Sequence, residues 1–568
     1  MTARTFDTNN ICWFDFETKS GEDLQKAGAT RYACDDDAAA IILTYAIGHG
    51  PTKLIMAPEP GAPLSWHHLP LDFTEFYQRA WYDDGVFAAF NAGFDRAVWN
   101  FALRNAPPLR PDMCIDPSVQ ATAAGLPPDL AGACKASGST LKVEDGGAYI
   151  KLFCLPDSTA TPQSHPAQWR LFCAYAIGDI DAMRSLFLRT RQLPEREWQE
   201  YWAAEIINDR GIGVDVKFAR KADKLAKLAK ACGCDELREI TDGAVTTTGQ
   251  VKLLTTWLRH QLPPDGDGIK ILTRREEEEA DDGTIKRPAK YSLTRGRIEK
   301  LIPYCTAIGH HRALRALQVR LYGGSTTPAK YSKILAQQVD GVVYGQYVFN
   351  GAPQTGRFSS RGVQIQNLAR SFLAYEHDAI EAILDGATYN QLAQLGDATP
   401  VLRKLALLIR PTFVAGDANQ FVVSDFAQIE ARILPWLVGP QSEGALKRLQ
   451  IFRDIDANPS LPDLYTRTAA AMSGVAVAEI SKSLRQRGKV AELALGFGGG
   501  VGALANMAPI TASTYRNTKP RKRSRSGGRP IPGVFGFGAS TTRIPPTACG
   551  APPTGRWSSR ASPKRSAG

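Results

Sequence analysis

No uninterrupted apolar run in this 568-residue sequence approaches the roughly 18–20 residues that a membrane-spanning helix needs. Met1–Asn10 is polar and lacks the apolar stretch of a secretory signal. A cytoplasmic protein without membrane contact is the expectation. None of the ten cysteines stands in Cys-x-x-Cys spacing, and Cys232 and Cys234 are too close for the usual zinc knuckle. The cysteines read as reduced, mostly buried small side chains. There are no internal repeats. Acidic residues are missing altogether from Asn506 onward, where 12 of the 68 Lys and Arg lie. The first 505 residues hold the other 56 basic residues and all 57 acidic ones, a net of −1. The formal charge of +11 therefore belongs to the tail and says little about the folded body.

What is present is ordinary in bulk: 43% hydrophobic and 22% charged residues suit a globular chain with room for about two to four domains. Residues 11–16 and 40–48 read as buried strands, 87–100 as a strand-to-helix turn, and 167–190 as a helix. This order predicts an α/β layer domain over 1–195. Residues 196–340 are richer in helical patterning, as in Phe218–Ala231 and Val251–Leu262. Their acidic insertion at Glu276–Glu279, Asp281 and Asp282 reads as a solvated loop or frayed helix end. The next region, 341–505, combines strands at Val342–Phe349 and Phe421–Asp425 with helices from 427 to about 497. Beyond it, 506–568 is a Pro-, Gly-, Ser-, Thr- and Arg-rich basic tail expected to be disordered.

Three carboxylate motifs stand in order along the first domain. Asp15 and Glu17 lie two apart on a strand and so share a face. Alone, such a pair is as well explained by a solvated sheet edge. Asn91-Ala-Gly-Phe-Asp95 follows the apolar run Val86–Phe90 and puts Asp95 on the turn into a helix. Tyr175 and Asp179 stand four apart on one helical face, whereas Asp181 falls off it. Hydrolysis of a phosphodiester by two metals needs several carboxylates in a small volume. The ordered set resembles the DEDD exonuclease superfamily in its tyrosine-bearing form, over about residues 8–190. That resemblance implies a ribonuclease H-like fold with 3′→5′ exonuclease activity on single-stranded 3′ ends. Asp15, Glu17, Asp95 and Asp179 would bind two Mg²⁺ or Mn²⁺ ions, with Tyr175 positioning water.

A second constellation follows. Phe421-Val-Val-Ser-Asp425 reads as a strand ending in a carboxylate, followed by Phe-Ala-Gln-Ile-Glu430-Ala-Arg432. A buried strand with a helix-capping Asp would explain Asp425 but not the whole string. Arg485, Lys489, Leu493 and Phe497 recur every four residues on one helical face. A solvated basic helix is the plain alternative. Thr355-Gly-Arg357-Phe-Ser-Ser-Arg361 and Gln364-Ile-Gln366-Asn367 complete the set. Together with Asp463-Leu-Tyr-Thr-Arg they resemble family A DNA polymerases of the bacterial or phage polymerase I type, over about 197–505. The resemblance implies an α+β thumb–palm–fingers domain, with 196–340 as thumb and 341–505 as partial palm and fingers. Asp425 would bind both catalytic metals of a second two-ion site. Glu430, Arg485, Lys489 and Phe497 would bind the deoxynucleoside triphosphate, and Arg357, Arg361, Gln366 and Asn367 the primer–template. Leu493 and Phe497 depart from the aromatic and tyrosine that the family usually carries there.

The pattern then breaks. Family A supplies a second palm carboxylate in a His-Asp-Glu turn after the fingers helix, yet no His, Asp or Glu follows Phe497. Glu376-His377-Asp378 is similar only superficially, because it precedes Asp425 and its flanks read as helix. A frameshift or an aberrant, truncated terminus shortly after Leu504 is the expected cause, and reading the adjacent DNA in its other frames tests the frameshift. The expected protein is a monomeric replication or repair polymerase with proofreading and doubtful polymerisation. An exonuclease only, and a non-catalytic nucleic-acid-binding remnant, are the alternatives.

Overall fold

Both faces of the first strand are apolar: Cys12, Phe14 and Phe16 on one side, Ile11 and Trp13 on the other, all at most 4% exposed. Such a strand is stable only at the centre of a sheet covered on both sides. The computed structural model describes residues 6–59, 62–140, 146–275, 278–279, 285–352, 354–369, 372–416 and 419–496. The chain divides into two compact units with the boundary between Phe421 and Val422.

The first unit begins with β1 (Ile11–Lys19), α1 (Leu24–Ala33), β2 (Ala39–Ile47), β3 (Lys53–Met56), α2 (Leu71–Trp81), β4 (Val86–Ala88), α3 (Ala92–Ala97) and β5 (Cys114–Ile115). The helices α4 (Pro117–Ala123), α5 (Leu130–Ser137), α6 (Gly146–Phe153), α7 (Pro166–Arg189) and α8 (Glu195–Arg210) follow. The strands form one sheet in the order β3-β2-β1-β4-β5. β1 pairs antiparallel with β2 and parallel with β4. One face packs on an aromatic core with Phe73, Phe87 and Trp99, and the other on Ile180, Met183 and Phe187 of α7. Trp198 and Tyr201 of α8 join this second core, so its packing runs past residue 195.

The same unit continues through β6 (Ile212–Val214), α9 (Val216–Ile240), α10 (Val251–Gln261) and α11 (Asp267–Leu272). Short strands β7 (Thr273–Arg275), β8 (Glu278–Glu279), β9 (Ile285–Arg287) and β10 (Lys290–Tyr291) come next. Then follow α12 (Arg295–Ala307), α13 (His311–Gly323) and α14 (Lys330–Gln337). The described part of the acidic insertion is a ladder rung rather than a loop or frayed helix, since β8 pairs antiparallel with β9. The remainder, Glu276, Glu277, Asp281 and Asp282, lies outside the described residues.

The last strands of the unit are β11 (Gln338–Val339), β12 (Val342–Val343), β13 (Tyr347–Ala352), β14 (Arg357–Ser360) and β15 (Phe413–Val414). Helices α15 (Glu376–Asp385), α16 (Tyr389–Gln394) and α17 (Val401–Leu407) precede the last of these. The strand-rich segment expected over 342–349 holds two strands, β12 and the start of β13, in different sheets. β12 joins the order β11-β12-β6-β15, while β13 pairs only with β14. Gly345, at φ +62°, makes the break in a conformation that favours glycine.

The second unit holds α18 (Ile429–Val438), α19 (Glu443–Ala457), α20 (Leu464–Ser473) and α21 (Lys482–Gly496), as the helical pattern from 427 predicts. The strand expected over Phe421–Asp425 is not formed. These residues have no regular structure, and Val422 and Val423 are 88% and 91% exposed. A strand exists through hydrogen bonds to a neighbour, and no described strand pairs with this segment. No described helix is long and apolar enough to cross a membrane.

Candidate functional site

Strand period two puts Asp15 and Glu17 on one face of β1, and the register shifts immediately after Glu17. Asp95 comes from α3, which starts one tight turn beyond β4. Asn91 makes that turn at φ +65°, a left-handed conformation that Asn tolerates. The Asp95 carboxylate accepts the Phe16 backbone N–H at 3.1 Å, which seats it against the strand between Asp15 and Glu17. Burial pushes the Asp95 carboxyl well above its ordinary range, and the nearby Asp15 charge adds to this.

Tyr175 and Asp179 lie one turn apart on α7 and are both buried. The Tyr175 hydroxyl is pushed far above its ordinary value by burial, then by the charges of Asp179 and Glu17, a hydrogen bond to Asp179, and Asp15. Five of the residues singled out in the sequence thus act on one another electrostatically. The Tyr175 ring continues a stack through Phe172 to Phe153, with centroids 6.3 and 5.6 Å apart. It also covers Gly146, where a Cβ would stand 1.9 Å from the ring. Asp181 is occupied elsewhere, accepting from Thr52 and Arg184 at 2.9 Å.

Four carboxylates are hard oxygen donors of the kind that suit Mg²⁺ or Mn²⁺, and a divalent ion would relieve the repulsion felt by Asp95. Among the described residues no three His, Cys, Asp or Glu side chains form a ready-made ligand group. The donor set thus fits such ions by its chemistry rather than by a preformed coordination shell.

Asp116 was not singled out in the sequence. Its buried carboxylate accepts from the backbone N–H of Asn91 at 3.0 Å, Ala92 at 3.1 Å and Ser118 at 2.8 Å. It caps α4 and holds the start of α3 at once. Asp116-Pro117 is a local helix-start signal, but nothing local marks the second role.

In the second unit, Arg485 and Lys489 share one face of α21 and both lie over the Tyr465 ring, at 5.5 and 5.9 Å. Glu430 acts electrostatically on the same tyrosine. Arg485 also donates to Asp463, the N-cap of α20, at 3.0 Å. Burial alone would raise the Asp463 carboxyl, but the Arg485 and Thr466 hydrogen bonds hold it below its ordinary value. Gly488 lets α21 approach α20, because a Cβ there would stand 2.1 Å from the Tyr465 carbonyl oxygen. Buried Glu492 accepts two hydrogen bonds from Arg448, at 2.7 and 3.0 Å. Asp425 is exposed in the unpaired segment rather than seated at a strand end. Phe497 lies outside the described residues.

Arg357 opens β14 and Arg361 lies just beyond it, both exposed, and Gln366 and Asn367 sit exposed on the short helical turn Ile365–Asn367. Gly356, at φ +66°, occupies the turn between β13 and β14. Glu376–Asp378 begins α15, in keeping with its helical flanks. A cavity of about 930 Å³ lies on the Arg96 side of α3, lined by Asn91, Glu205, Asn350 and Arg361 among others.

A model of DNA polymerase family A matches residues 270–519. A DNA polymerase of Bacillus phage SP02 is 31% identical over 524 residues, covering 89% of this chain and 72% of that protein. Among solved structures, the POL domain of Pol1 from M. smegmatis, in complex with DNA primer–template and dNTP, is similar at a TM-score of 0.45 and 16% identity. The likeness covers 83% of this chain and 67% of that one.

Proposed function

The chain belongs to DNA polymerase family A, and from that premise we propose that its first 195 residues are a metal-dependent 3′→5′ exonuclease and that its polymerising half is weak. The observation that carries the first reading is the convergence of Asp15, Glu17, Asp95, Tyr175 and Asp179 from β1, α3 and α7. The sheet order β3-β2-β1-β4-β5 supports a ribonuclease H-like layer. Asp15, Glu17, Asp95 and Asp179 would hold two Mg²⁺ or Mn²⁺ ions. Such ions, when bound, activate water and stabilise the leaving oxygen. Tyr175, anchored by Asp179 and its ring stack, orients the attacking water. The Phe16 amide keeps Asp95 in register with the strand.

For polymerisation, Arg485 and Lys489 are poised to bind a triphosphate, with Asp463 neutralising Arg485 until phosphate replaces it. Phe497 is the aromatic stacking residue by the same resemblance. Glu430 would select the sugar and Asp425 would bind metal. Arg357, Arg361, Gln366 and Asn367 would hold primer–template. The weakness lies at the metal side: Asp425 is exposed in an unpaired segment rather than seated at a strand end.

The test is digestion of 5′-labelled DNA by the full chain with Mg²⁺, with and without dNTPs. We expect stepwise 3′ shortening that chelator abolishes and that Asp95→Ala lowers on the order of 10³-fold. No primer extension is expected. Failure of the parent to shorten any DNA would remove the exonuclease reading, and Asp425-dependent extension would overturn the weak-polymerase reading.

A further inference from the structure

The short helix α3 carries Asp95 on one side and Arg96 on the next, and the two adjacent side chains point about 100° apart. Asp95 faces β1, whereas Arg96 turns into a buried polar set on α8. Its Nη1 donates to Glu205 at 3.2 Å, and its Nη2 donates to Asp209. Asn208, on the same turn of α8, donates to Glu205 at 2.9 Å and also grips β13 twice. It donates to the Tyr347 carbonyl at 3.0 Å and accepts the Tyr347 N–H at 2.9 Å. Arg96, Glu205 and Asn208 are at most 7% exposed.

Two further routes join the same elements. Asn350 of β13 donates to Thr122 at 3.2 Å, and Thr122 lies on α4, the helix whose cap Asp116 holds the Asn91 and Ala92 amides. Arg361, just beyond β14, donates directly to the Asn91 side chain at 3.4 Å. Phe349 adds an edge contact with Tyr201 of α8, centroids 5.9 Å apart. The six-residue helix bearing Asp95 is therefore held at its start, through Asn91 and Ala92, and near its end, through Arg96, by contacts that lead on to the β13–β14 hairpin. A buried ionic set of this kind adds little stability over apolar packing of the same volume; what it supplies here is a chain of directed hydrogen bonds from α3 through α8 to β13.

We propose that Arg96, Glu205 and Asn208 are positioning residues that couple the β13–β14 hairpin to Asp95, so that DNA lying on the hairpin sets the exonuclease geometry. This rests on the exonuclease reading above and on Arg357 and Arg361 as DNA contacts. A displacement near 1 Å at a reacting centre is enough to change rates by up to about 10²-fold. DNA that engages the hairpin would hold α3 in its working position, whereas a substrate too small to reach it would not gain from the coupling.

The test compares two substrates of the full chain with Mg²⁺. One is p-nitrophenyl thymidine 5′-monophosphate, which fills only the scissile position, and the other is a primer–template with a frayed 3′ end. In Asn208→Ala we expect ester hydrolysis within about twofold of the parent and primer digestion lowered about fivefold in kcat at unchanged KM. Thr122→Val, which removes one hydroxyl at constant shape, should shift the ratio in the same direction by a smaller factor. It decides the matter if a thermal melt shows Asn208→Ala misfolded. Equal loss on both substrates, no change on either, or a change confined to KM would overturn the coupling while leaving the exonuclease reading intact. A parent inactive on both substrates would overturn the two together.

Discussion

Tyr175 shows how far a single side chain depends on its surroundings. Its hydroxyl belongs to the carboxylate cluster, but its ring is placed by Phe172 below and by the absence of a side chain at Gly146. A methyl group at 146 would stand 1.9–2.5 Å from three ring atoms, so the ring or α6 must move. Gly146→Ala is expected to lower turnover of the proposed exonuclease by up to about 10²-fold with little change in DNA affinity, as read by single-turnover digestion and a binding titration. Unchanged turnover would mean that the ring position does not matter. At this scale the shared face of Asp15 and Glu17 on β1 and of Tyr175 and Asp179 on α7 was legible in the sequence, because strand and helix periods decide which side chains share a face. Asp116 and Gly146 were not. Their roles are contacts to Asn91 and Tyr175, at separations of 25 and 29 residues, that no local pattern encodes.

At the scale of elements, α21 was readable as a helix with Arg485 and Lys489 on one face. What that face packs against was not: Gly488 and Glu492 matter only because α20 and Arg448 of α19 stand against them. The atoms that a Cβ on Gly488 would meet include backbone of α20, which cannot rotate away as a side chain would. Gly488→Ala should push the helices apart and destabilise the second unit by about 1–3 kcal/mol, measurable as a lowered denaturation midpoint. A midpoint equal to that of the parent would show that the close approach is dispensable. The segment Phe421–Asp425 marks the opposite case. Its composition favours a strand, but strand formation is a pairing event between distant segments, and none of the described strands provides the edge.

For the whole molecule, the division falls between Phe421 and Val422, inside an exposed stretch without regular structure. Phe421 and Phe426 are 54% and 81% exposed there. Limited chymotrypsin digestion should therefore cut the described residues first at one of these phenylalanines, as mass spectrometry of the fragments would report. Early cutting within β1–β5 instead would contradict the division. The first unit also carries continuity that composition does not reveal. Trp198 and Tyr201 extend the sheet's core beyond residue 195, and Asn208, Asn350 and Arg361 tie the later hairpin to α3 and its surroundings.

By itself the sequence determined the family, through the motifs that resemble it, and the order of the carboxylate motifs, the longer helices and the central strands, through residue type and periods of two and 3.6. Only the tertiary structure decided that Asp95 sits against the Phe16 amide, that Arg485 rests on Asp463, and that Phe421–Asp425 stays unpaired. Each of these depends on which distant groups meet, and such meetings are set by packing of the whole unit rather than by any local run of residues.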